Sequence, residues 1–78
     1  MQLPEKLYRM AEVMEHTGLS RQTLHYYVTL GLIREKKRTG SGYRLFAPTV
    51  FRDLARVKRM QKKGMTLREI REKLESTS

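Results

Sequence analysis

Ser20 to Ile33, SRQTLHYYVTLGLI, is the stretch that decides the reading of this chain, with Ser41-Gly42-Tyr43-Arg44-Leu45-Phe46 returning to it after a basic loop. Ser20 suits a helix N-cap, because its hydroxyl can accept one of the backbone N–H groups left unpaired where a helix starts, and Gly31 suits the end. Helical phase then puts Leu24, Tyr27 and Val28 on one side and Gln22, His25, Tyr26 and Thr29 on the other. The first side packs. The second is polar and aromatic, carries almost no net charge, and reads as a surface that touches a partner.

Working outward, Met1 to Lys6 reads as a loose lead-in and Leu7-Tyr8-Arg9 as a short extended segment. Met10, Val13 and Met14 share one face of a helix that leaves Glu12 and Glu15 outside, and Thr17-Gly18-Leu19 breaks it. Leu32 to Arg34 and Tyr43 to Phe46 read as two strands of a hairpin around the glycine-containing loop 35–42. Pro48 suits the first position of a third helix reaching about Lys63, with Val50, Phe51, Leu54, Val57 and Met60 inward and Gly64 as its stop. Thr66 and Glu69 form a T-x-x-E capping box ahead of a fourth helix that gathers Leu67, Ile70 and Leu74 on one face. Its i,i+4 pairs are Arg68 with Glu72, Glu69 with Lys73 and Arg71 with Glu75. The predicted fold is mainly α, a winged helix-turn-helix with four helices and a short two-stranded β-hairpin wing. It forms a single domain over 1–78, with the helix-turn-helix at about 10–30, the wing at about 32–46 and the closing helices at about 48–63 and 67–75.

The 78 residues bury only about 60 to 65% of their unfolded surface, which leaves little room for an enclosed substrate pocket. Cysteine is absent, excluding a disulfide framework, a thiolate nucleophile and cysteine-ligated zinc. No apolar run approaches the ~20 residues of a spanning helix, so a soluble, cytoplasmic protein with no membrane partner is expected. The net charge of +9 is unevenly placed. Residues 1–33 and 64–78 each balance, and the excess is +4 over residues 34–44 and +5 over residues 52–63. Charge concentrated in this way fits a polyanion-binding surface. Arg52, Arg56, Arg59 and Lys63 form a stripe on the third helix that suits either phosphate contact or a solvated basic face.

The joint spacing of these pieces also resembles the DNA-binding domain of the MerR-type transcription regulators. The matching stretches are Tyr8-Arg9-Met10-Ala11-Glu12-Val13, then Thr17 to Ile33, then Gly42 to Phe46, then Gly64 to Ile70, which together cover roughly residues 7–75. The resemblance implies a bacterial regulator whose second helix reads the major groove while the wing follows phosphates. Ser20, Gln22, His25 and Tyr26 would then meet the duplex, with Arg21 and Thr23 beside them. Lys36, Lys37, Arg38, Tyr43 and Arg44 would serve from the wing, Arg44 by a charge-assisted phosphate contact. For Tyr27 packing and a hydroxyl contact weigh equally. The family commonly has arginine where this chain has His25 and an acidic residue where it has Val28, and histidine lacks the bidentate fork that reads guanine.

The implied partners are a palindromic promoter duplex, a second copy of the chain and RNA polymerase, with the protein associated with the nucleoid. Such regulators usually continue into a dimerising coiled coil and an effector domain, so no effector sensing is expected within these residues. No nucleophile, base or phosphate-cradling loop is present, which argues against an enzyme and calls for no cofactor. His16 and His25 differ in phase and lie nine residues apart, a poor metal pair. The alternatives are a small basic RNA-binding protein, for which only Tyr26 offers a stacking surface, and an excisionase-like accessory or interaction module docking through its last helix.

Overall fold

The computed structural model describes residues 6–76, so most of the expected lead-in lies outside the described residues. Chain order is β1 (Tyr8–Arg9), α1 (Met10–Thr17), α2 (Arg21–Leu30), β2 (Lys37–Arg38), β3 (Arg44–Phe46), α3 (Thr49–Lys62) and α4 (Leu67–Ser76). The four helices and the wing match the fold class read from the sequence.

The turn between α1 and α2 follows from local chemistry. Gly18 adopts φ 75° and donates its N–H to the Met14 carbonyl at 2.8 Å. The Thr17 hydroxyl donates to the Val13 carbonyl at 2.7 Å and accepts the Leu19 N–H at 3.2 Å, so the break satisfies its own backbone. Ser20 then caps α2 by accepting the Thr23 N–H at 3.1 Å. Gly31, at φ 81°, closes α2, and the Leu32 N–H reaches back to the Tyr27 carbonyl at 2.9 Å.

That reversal sends Leu32 and Ile33 into the core, where they are 3% and 1% exposed. The strand expected at Leu32 to Arg34 is therefore displaced to Lys37–Arg38. Two adjacent β-prone side chains satisfied by burial have no need of a strand partner, and a strand would send alternate residues to opposite faces. The sheet also gains a third strand, for the extended segment expected at Leu7-Tyr8-Arg9 pairs into it as β1. β3 lies between β2 and β1, antiparallel to both, with Tyr8 opposite Phe46 and Arg9 opposite Leu45. On its other side Lys37 faces Leu45 and Arg38 faces Arg44.

Met10, Val13, Leu24, Tyr27, Leu32, Ile33, Phe46, Val50, Leu54, Val57 and Ile70 form one core, to which every helix contributes. Its edge is an aromatic corner, where Phe51 stands edge-on to Tyr8 at 4.9 Å and to His16 at 5.4 Å between ring centres. β1, α1 and α3 are tied together there.

The Thr66–Glu69 box forms in both directions. The Thr66 N–H donates to Glu69 Oε1 at 2.9 Å, and the Glu69 N–H donates to the Thr66 hydroxyl at 3.1 Å. Of the expected helix pairs, Arg68–Glu72 closes at 3.8 Å and Arg71–Glu75 at 3.2 Å, while Glu69 serves the cap. The Thr66 backbone N–H, and then its hydroxyl, hold the Glu69 carboxyl below its ordinary value of 4.5. At Glu12 the Arg9 backbone N–H acts first and the Lys6 ammonium second, in the same direction. A carboxyl whose value is lowered by folding contributes stability above the unfolded value and loses it as pH falls through the folded one. Stability is thus expected to decline as pH drops below about 4.5, and Glu69→Gln to flatten that limb in urea titrations at stepped pH. Thr66→Ala should cost about 1 kcal/mol at neutral pH in the same assay.

Candidate functional site

The outward side of α2 emerges as its phase requires. Ser20, Arg21, Gln22, His25, Tyr26 and Thr29 are exposed, and Tyr26 keeps 52% of its surface in solvent. Thr23 is half-buried and bonded to Ser20, whose hydroxyl also donates to Thr23 Oγ1 at 2.9 Å, so both side chains are engaged in starting the helix. Tyr27 is 7% exposed and packs in the core, leaving only its hydroxyl for any outside contact.

The wing supplies the second component. Its tip is a turn in which the Gly42 N–H returns to the Thr39 carbonyl at 2.9 Å and the Thr39 N–H donates to the Tyr43 carbonyl at 2.8 Å, with Gly42 at φ 87°. Lys36, Lys37 and Arg38 are exposed, and Tyr43 is exposed by 70%. Arg44 differs from them. Its Nε lies 3.2 Å from Glu35 Oε2 and its terminal nitrogen 3.4 Å from His25 Nδ1. That contact places the wing alongside the outer face of α2, in a groove lined by Arg9, Arg21, His25, Tyr43 and Arg44.

Two participants were not read from the sequence. Arg9 lines the groove because β1 joins the sheet. Glu35 bridges the wing arginines, accepting from Arg38 Nε at 2.9 Å while facing Arg44. The reason lies in the register, for Arg38 directly opposes Arg44 and like charges so placed are destabilising. The available clue was Glu35 itself, the one carboxylate among five cations between residues 34 and 44.

The α3 stripe stays largely in solvent, with Arg52, Arg59 and Lys63 exposed and Arg56 half-buried. Among the described residues no group of three or more His, Cys, Asp or Glu could hold a metal ion, and no helix is long and apolar enough to cross a membrane. His16 is taken up in the aromatic corner.

Comparison with known proteins agrees with this geometry. Residues 8–77 match the model of the MerR HTH family regulatory proteins. The chain is 41% identical over 63 residues to the mercuric resistance operon regulatory protein of Bacillus cereus, an alignment spanning 81% of the chain and 48% of that protein. The N-terminal part of the Bacillus subtilis multidrug transporter activator, MtaN, superposes with a TM-score of 0.81 at 33% identity, covering 86% of this chain and 63% of that one. HiNmlR, a MerR family regulator lacking the sensor domain and solved bound to promoter DNA, superposes at 0.80 with 29% identity, covering 92% of this chain and 57% of its own. The chain spans about half the length, or less, of the curated relatives it matches.

Proposed function

Because the chain belongs to the MerR HTH family of regulatory proteins, we propose that it is a sequence-selective double-stranded DNA-binding domain acting in transcription regulation. The observation that carries the reading is the side-by-side exposure of the α2 face and the wing, joined where Arg44 meets His25. A helix with its outer side free fits the major groove, and a basic hairpin beside it reaches the flanking phosphates. The similar HiNmlR being bound to promoter DNA supports the same use of this surface.

Roles divide by chemistry. Gln22, His25 and Tyr26 can reach base edges, with Ser20, Arg21 and Thr23 at the helix start near a phosphate. Lys36, Lys37, Arg38 and Tyr43 follow the backbone, and Arg44 joins the two sets. The α2 face holds little net charge, so affinity comes chiefly from counterion release at the wing. The target is a palindromic promoter element occupied by two copies, where distortion of the duplex would alter its reading by RNA polymerase, in the cytoplasm on the nucleoid. No catalytic role is assigned.

The test is selection of bound sequences from a random duplex library, with single-stranded DNA and RNA as competitors. A single enriched motif that resists RNA competition is expected. Gln22→Ala should change the preferred bases more than the overall affinity. Equal retention of RNA and random duplex would favour the RNA-binding reading, and retention of neither an interaction module.

A further inference from the structure

Arg44 sits where its own chemistry dictates that of a neighbour. A guanidinium carries only N–H donors and stays protonated, so whatever nitrogen faces it must offer a lone pair. At 3.4 Å that nitrogen is His25 Nδ1. A neutral imidazole facing that donor through Nδ1 would carry its single proton on Nε2. Glu35 keeps Arg44 there, its Oε2 facing Arg44 Nε at 3.2 Å with both atoms shielded from solvent, in a charge contact rather than an aligned hydrogen bond. Its other oxygen accepts from Arg38. A carboxylate held by two arginines has little freedom to leave.

We propose that Glu35, acting through Arg44, is a positioning residue that fixes the His25 tautomer and thereby the kind of base edge His25 selects. The inference rests on the DNA-binding reading above. A ring presenting Nε2–H is a single donor, suited to purine N7, guanine O6 or thymine O4. It has nothing to offer the amino groups of cytosine N4 or adenine N6, which need an acceptor. The other neutral tautomer presents an Nε2 lone pair and reverses that preference. A histidine without the relay samples both forms and discriminates poorly. The wing thus sets base choice on α2 from 19 residues away in sequence, although Arg44 itself need touch no base.

Two measurements on the whole chain test this. Long-range proton–nitrogen correlation on the free, nitrogen-15-labelled protein near pH 8, where an ordinary imidazole is neutral, should show His25 with Nε2 protonated and Nδ1 bare. Glu35→Gln and Arg44→Gln should each move His25 toward a mixture, while His16, against Tyr8 and Phe51, stays unchanged and shows that the fold is intact. In duplex selection, Glu35→Gln should reduce discrimination at one base position roughly three- to tenfold, the worth of one hydrogen bond. A His25 tautomer identical in all three proteins, alongside normal duplex selection, would overturn the relay and leave the DNA reading in place. A relay seen by resonance in a protein that selects no duplex would remove the DNA reading and with it the proposed use of the relay. Unchanged base preference in Glu35→Gln with an altered tautomer would equally refute the proposal.

Discussion

Phe46→Ala is expected to lower the melting midpoint by about 15 °C or more and to leave the domain close to unfolded at body temperature. Phe46 is fully buried and the largest side chain in that condition. Truncating a buried phenylalanine costs about 3 to 5 kcal/mol, through lost transfer free energy and the cavity left behind. A domain of this size holds only about 4 to 12 kcal/mol in total, and each kcal/mol moves its midpoint by about 4 to 8 °C. Phe46 also lies opposite Tyr8 on β3, so its loss loosens the sheet that carries the wing. Thermal denaturation followed by far-ultraviolet circular dichroism reads the effect. Leu45→Ala, on the same strand but half-exposed, should cost far less. A loss under 1 kcal/mol at Phe46 would contradict the close-packed core described here.

The second large effect is on salt. If about five phosphates are engaged, affinity for the preferred duplex should fall about 10²- to 10³-fold between 50 and 200 mM monovalent salt. Lys36→Ala with Lys37→Ala should reduce the steepness of log Kd against log salt by about 1.8, since each phosphate contact contributes about 0.9. Both lysines are exposed and without an ion-pair partner in the wing network that occupies Arg38 and Arg44, so their charge is available to DNA. Fluorescence anisotropy at four or five salt concentrations gives both quantities. The triple variant Arg52→Ala, Arg59→Ala, Lys63→Ala is the control. An equal change of slope from that set would mean that α3 shares the phosphate contacts with the wing.

Much of this architecture is written in local chemistry. Ser20, Gly18, Gly31 and the Thr66–Glu69 pair mark helix ends because each satisfies backbone groups within a few residues, and such solutions are visible in a window of the same size. The packing and outward sides of α2 follow from phase alone. What stayed hidden depends on residues distant in sequence. Leu32 and Ile33 have the composition of a strand, and only the core assembled from all four helices and Phe46 makes burial the better use. The pairing of Tyr8 with Phe46 has no local signature. Glu35 acquires its role only once the register sets Arg38 against Arg44. The contacts proposed for Gln22 and Tyr26 are legible as exposure, whereas His25 also needed a partner from another element.

The pairing of β1 with β3 has a kinetic consequence. It closes a circuit of chain running from Tyr8 to Phe46, and α1, α2 and the wing all lie inside it. Joining ends that far apart costs loop entropy before any contact rewards it, so this pairing belongs late in folding. Until the circuit shuts, Arg9 is off the groove and β3 lacks one neighbour. The groove beside α2 is therefore complete, with Arg9 in place, only after that closure.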